Sequence, residues 1–182
     1  MYITRPATST APEDIIGLLV HEAVHVIQYY ITDGDMIHLP VWLIEGTAMY
    51  FDGTLDSNYV RVIMSTEVLR NNISTLATVE GTDWESDWRE SFIWASSIIS
   101  FVHSTFGLEY VVELHRNYNI EEVFGISRAE FERQWHQYLR DNLGNIDALL
   151  HILFDMEPEL EDFYNMYGRD AILKLIENIW DH

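Results

Sequence analysis

Apolar residues recur at helical spacing along most of this 182-residue chain. Positions 15, 16, 18, 19, 20, 23, 24 and 27 are all apolar, a pattern that predicts a long, mostly buried helix. Thr10-Ala11-Pro12-Glu13 stands before it as a capping box with proline in the first turn, and Asp33-Gly34-Asp35 ends it. Pro40 opens a second helix, from Val41 to about Asp52, which closes near Gly53. A third begins at Ser57 or Asn58 and runs through YVRVIMSTEVLRNN. The span from Ile73 to Trp88 reads as a long loop. After it, SFIWASSIISFVHSTF predicts a strongly apolar helix from about Glu90 to Phe106, stopped by Gly107, and another helix from Leu108 to Tyr118. Ser127-Arg128-Ala129-Glu130 is a second capping box, heading a helix with Phe131, Trp135, Tyr138 and Leu139 on one side. At the other end of the chain, Met1 to Ala7 alternates around Tyr2 and Ile3 as a short strand ended by Pro6.

Past Gly144 the composition changes, with ten acids against Arg169 and Lys174 over residues 141–182. The pattern divides the chain into a unit over 1–143 and an appended acidic helical segment over 144–182 that packs on it. The expected fold is mainly α, with α+β character only through the residual N-terminal strand: a helical bundle. Ten basic residues against thirty acids give a net charge of −20, which repels phosphate backbones and excludes a nucleic-acid partner. No run of eighteen apolar residues occurs, so no membrane insertion is expected. The opening MYITRPATSTAPED lacks a basic region followed by an apolar one. As written the chain reads as cytoplasmic, or extracytoplasmic if a leader was trimmed.

Within the first predicted helix lies His21-Glu22-Ala23-Val24-His25. Residues four apart on a helix lie one above the other, so His21 and His25 can present two imidazole nitrogens to one metal ion. Glu22, turned by about 100° from His21, can reach a metal-bound water without ligating the metal. A catalytic zinc takes three protein ligands and keeps one position for water. The second helix supplies the third: nineteen residues separate Glu45 from His25, a gap that fits a turn and an antiparallel return. The chain has no cysteine, so any metal must be held by His, Asp or Glu. His21, His25 and Glu45 make a His2Glu set for one zinc per chain.

The segment LVHEAVHVIQYY followed by LPVWLIEGTAMYFDG resembles the peptidase MA-like gluzincins, thermolysin-related zinc peptidases that pair HExxH with a Trp-Leu-x-Glu-Gly-x-Ala helix. The plant basic secretory proteins, of the same clan, are a more distant likeness. FIWASSIISFVHSTFG resembles the family's later helix and SRAEFERQWHQYLR its closing helix, so the likeness covers about residues 14 to 140. It implies a gluzincin, zincin-like catalytic domain that hydrolyses peptide bonds with a metal-activated water, with His21, His25 and Glu45 as zinc ligands and Glu22 as general base. It also implies Gly46 and Ala48 as small residues where the two motif helices pack closely.

Two positions depart from the family pattern. Many gluzincins carry a carboxylate four residues after the Glu ligand to steady one histidine; this chain has Met49 there, with Asp52 nearby but less well placed. A tyrosine suited to stabilising the oxyanion often stands near the start of the later helix, where this chain has Phe92, and a phenyl ring cannot donate. Tyr59 and His103 are candidate oxyanion donors in its place, and His38, just before Pro40, is a candidate lining residue. Gluzincin substrates usually lie along an edge strand, for which Met1 to Arg5 is the visible candidate. Since the chain begins there, most of the accompanying sheet is expected to be missing, so that the chain reads as a fragment, a minimal protease or a subunit completed by a protein partner. The expected substrate is a peptide or protein. The alternative is a catalytically weak or inactive zinc-binding module for protein interaction, favoured by Phe92 and Met49 and opposed by Glu22, since structure alone needs no general base beside a metal.

Overall fold

The computed structural model describes residues 12–83 and 88–180, and among these every regular element is helical. In chain order they are α1 (Pro12–Ile31), α2 (Val41–Phe51), α3 (Asn58–Leu69), α4 (Leu76–Glu80), α5 (Trp88–Phe106) and α6 (Leu108–Arg116). Then follow α7 (Ile120–Phe124), α8 (Arg128–Leu143), α9 (Ile146–Met156), α10 (Glu159–Tyr167) and α11 (Arg169–Trp180). The mainly helical fold agrees with the periodicity. The expected strand at 1–7 lies outside the described residues, as does Thr10 of the first expected cap, and no strand occurs among the described residues. Two short helices escaped the pattern. One of them, α4, sits in the span expected to be a loop and is nucleated by Thr75, whose side chain accepts the Thr78 N–H. The other, α7, is headed by Asn119, which accepts from the N–H groups of Glu121 and Glu122. Five-residue helices carry too little apolar period to register against their surroundings.

The core is built around α5. Ile93, Ala95, Ile98, Ile99, Phe101 and Val102 are all buried, because α2, α4, α6 and α8 pack around the helix. The α2 side contributes Trp42, Leu43, Ile44 and Met49, and the α8 side Phe131, Trp135 and Leu139. The indole N–H of Trp135 donates to Ser97 Oγ at 3.1 Å, which satisfies the polar atom of an otherwise apolar ring.

At Gly46, α2 and α5 approach closely. A Cβ there would stand 2.8 Å from the Ala95 Cβ and carbonyl carbon. Its small size therefore serves the contact with α5, and the expectation that it serves packing between the two motif helices is corrected. Ala48 is fully buried.

The expectation of a mostly buried first helix is also corrected. α1 rests on α2 and α6 through a narrow arc. Val24 and Gln28 are buried and His21 and His25 half-buried. On the opposite side Ile16, Leu19, Ile27 and Tyr30 are 62%, 64%, 55% and 75% exposed. The helix is apolar on two faces, and periodicity alone cannot say that only one of them meets the rest of the chain.

Beyond α8, the last three helices form a smaller cluster of their own. Leu150 and Ile172 are buried there, packed by Leu153, Phe154, Leu160, Phe163, Tyr164 and Leu173. It joins the main body where α9 lies along α3.

Candidate metal centre

The centre forms where α1 and α2 meet. His21 and His25 are one turn apart on the arc of α1 that faces α2. Glu45 is in the second turn of α2 and returns between them. His21 Nε2 is 3.4 Å from Glu45 Oε2, and His25 Nε2 is 3.7 Å from Glu45 Oε1. One ligand atom from each of the three residues lies within 4.8 Å of the others. These nitrogen–oxygen separations are long for hydrogen bonds, whose usual N···O range is about 2.7–3.2 Å. They suit a shared cation: ligand bonds of about 2.0–2.2 Å in a tetrahedron place neighbouring donors about 3.4 Å apart. Two imidazoles and a carboxylate are also the donor types zinc takes. The residues present fit the metal.

Each imidazole is held by its other nitrogen. His21 Nδ1 donates to Asp52 Oδ2 at 2.9 Å, and Asp52 Oδ1 accepts the Thr54 N–H at 2.8 Å. The Asp52 side chain is almost entirely buried and a carboxylate can only accept, so Nδ1 carries a proton, and in the neutral ring Nε2, facing Glu45, is the nitrogen free for a metal. Asp52 follows Glu45 by seven residues, two helical turns, which keeps both carboxylates on one face of α2 through its last residue. It takes the role that the family pattern reserves for the position of Met49, and Met49 is buried in the core. The expectation that Asp52 is less well placed for this is thereby corrected. Burial alone would lower the pKa of His21, but the hydrogen bond to Asp52 and the adjoining Glu45 carboxylate raise it to about 9. Those two carboxylates favour positive charge at this point, whether it is carried by a proton or a metal.

His25 Nδ1 faces Gln28 Oε1 at 2.9 Å, and the Gln28 amide nitrogen lies 3.0 Å from the Ile44 carbonyl and 3.1 Å from His115 Nε2. Gln28 and His115 are functional candidates that the motif does not reveal. The available signal was a polar residue three positions after His25, on the same arc as the two histidines.

A family model of the peptidase MA superfamily matches residues 15–141. The chain belongs to the peptidase MA superfamily. No curated protein and no solved structure matches it significantly. As a superfamily member it carries a fold typically used for metal-dependent proteolysis, and the matched span contains every residue of the centre.

Glu22 is exposed beside the centre and has no hydrogen-bond or ion-pair partner among the described residues. Of the other sequence candidates, neither His38 nor His103 belongs to the His21, His25 and Glu45 group. His38 lies in a 3-10 turn, 73% exposed, and faces Asp35 at 3.6 Å. His103 Nδ1 is engaged by the Tyr50 hydroxyl at 2.8 Å. Tyr59 is half-exposed in the first turn of α3. Phe92 is buried in the core.

Proposed function

We propose that this superfamily member is a zinc-dependent metallopeptidase of gluzincin type, with His21, His25 and Glu45 as ligands and Glu22 as general base. The observation that carries the reading is the pair of Nε2 atoms, one from each histidine, facing the two oxygens of the Glu45 carboxylate at 3.4 and 3.7 Å, with exposed Glu22 adjoining His21 in α1. Bound there, zinc would polarise a scissile carbonyl and lower the pKa of water toward about 7. Glu22 takes the proton from the attacking water as its oxygen bonds to the carbonyl carbon, and delivers that proton to the amine nitrogen as the C–N bond breaks. Asp52 and Gln28 keep the two imidazoles oriented throughout. Residues 1–143 form the catalytic unit in this reading and 144–182 an appended segment, a division supported by the separate small core of α9 to α11.

A binding-only role has two observations in its favour: Phe92 is a buried phenyl ring that cannot donate to an oxyanion, and His103 Nδ1 is already engaged by the Tyr50 hydroxyl. The test is a comparison of wild type and Glu22→Gln on a broad peptide library, with zinc content measured on the same samples. We expect both to hold one zinc and the variant to lose hydrolysis by about 10²-fold or more. Equal turnover would reject Glu22 as the base. A wild type that holds zinc and cleaves nothing would establish the binding-only role.

A further inference from the structure

We propose that His115 and Gln28 are positioning residues that together fix which nitrogen of His25 is free to bind a metal. The inference rests on the reading of His21, His25 and Glu45 as a metal site, and its argument is a chain of single options. His115 lies in the last turn of α6 and is 3% exposed. Its Nδ1 is 2.8 Å from the Val111 carbonyl, which can only accept, so the ring proton is on Nδ1. Burial lowers the pKa of His115 and keeps the ring neutral near pH 7, which leaves Nε2 as a bare acceptor.

That acceptor settles the orientation of Gln28. A glutamine amide can be turned either way round unless its partners distinguish oxygen from nitrogen. Here two acceptors, the Ile44 carbonyl at 3.0 Å and His115 Nε2 at 3.1 Å, face one end of the amide. Both NH2 hydrogens are used there, and a flipped amide would press its oxygen against two acceptors inside a buried site, since Gln28 is 1% exposed. Oε1 must therefore face His25 Nδ1 at 2.9 Å, and that nitrogen must donate. A neutral imidazole has one N–H, so His25 Nε2 is bare toward Glu45. The information passes from α6 through α1, between residues 87 positions apart in the chain. For His21 no such chain is needed, because the Asp52 carboxylate has no donor end.

The test uses the full-length chain, zinc as the probe, and nitrogen-15 NMR of the histidine rings at pH 8. Metal-free wild type should show His25 as a single Nδ1–H tautomer. His115→Phe keeps a ring of similar size and removes the acceptor; it should bind zinc about tenfold more weakly and show His25 as a mixture of tautomers. Gln28→Glu keeps the shape but presents carboxylate oxygen to His115 Nε2. His115 should then take up a proton, and its titration midpoint should move upward by about one pH unit or more. The His25 tautomer is the readout that a merely structural role for Gln28 or His115 would not move. Zinc affinity of His115→Phe within twofold of wild type, with His25 still a single Nδ1–H tautomer, overturns the proposal. If that variant does not fold, an unchanged His115 midpoint in Gln28→Glu overturns it. Failure of wild type to bind zinc would refute the metal reading instead, and the tautomer and midpoint measurements would still decide the relay.

Discussion

Asp52 and Gln28 do the same work for His21 and His25 by different chemistry. Asp52 has only acceptor atoms, so replacing it by asparagine offers His21 Nδ1 an NH2 group as readily as an oxygen. With the NH2 group facing Nδ1, the ring proton moves to Nε2 and blocks the metal. Asp52→Asn should weaken zinc binding by about 10–100-fold in a competition titration with a chromophoric chelator, with helix content unchanged; affinity within threefold of wild type would show that Asp52 does not orient the ligand. His115 carries a separate consequence. Its pKa is lowered by burial from 6.5, so in acid the unfolded chain binds more protons than the folded one, and stability is lost as pH falls below 6.5. Thermal midpoints of the metal-free protein between pH 7.5 and 5 should fall more for wild type than for His115→Phe, and parallel curves would contradict this. His21, Glu22, His25 and Glu45 were legible in the sequence because one helical turn and one antiparallel return fix their spacing. Asp52 was visible but undervalued: an interval of two turns keeps the same face as an interval of one. Gln28 and His115 were not legible as a pair, because nothing local relates residues 87 positions apart.

At the scale of helices, α1 departs most from its pattern. The arc that carries His21 and His25 faces α2, while the arc on the other side carries exposed Ile16, Leu19, Ile27 and Tyr30. A helix apolar all round reads as buried all round, and only tertiary placement distinguishes the two faces. Leu19→Lys should therefore change unfolding free energy by no more than about 0.5 kcal/mol and leave zinc affinity intact. Val24→Asp, on the buried arc, should cost several times as much. A loss of 2 kcal/mol or more in Leu19→Lys, measured by denaturant unfolding, would show that this face is covered. The α2–α5 contact illustrates a second limit of sequence. The small size of Gly46 was evident, but the neighbour that required it, Ala95, was not. Helix ends were more readable where a side chain caps them, as Ser127 caps α8 by accepting the Glu130 N–H.

For the molecule as a whole, the net charge of −20 and the candidate metal centre are linked by distribution. No lysine or arginine occurs between residues 6 and 60, the segment that supplies all three candidate ligands, the candidate base and Asp52. The centre is thus set in a region whose side-chain charges favour cations, and basic or neutral peptides would meet less repulsion there than acidic ones. The absence of cysteine restricts any resident metal to nitrogen and oxygen donors, and the fold brings two imidazoles and a carboxylate together. X-ray absorption at the zinc edge of the zinc-loaded chain tests this arrangement most directly. The account predicts one zinc with about four nitrogen and oxygen neighbours near 2.0–2.1 Å, two of them imidazoles, with one imidazole lost in His21→Ala. A zinc surrounded only by oxygen, or a spectrum unchanged by that substitution, would contradict it.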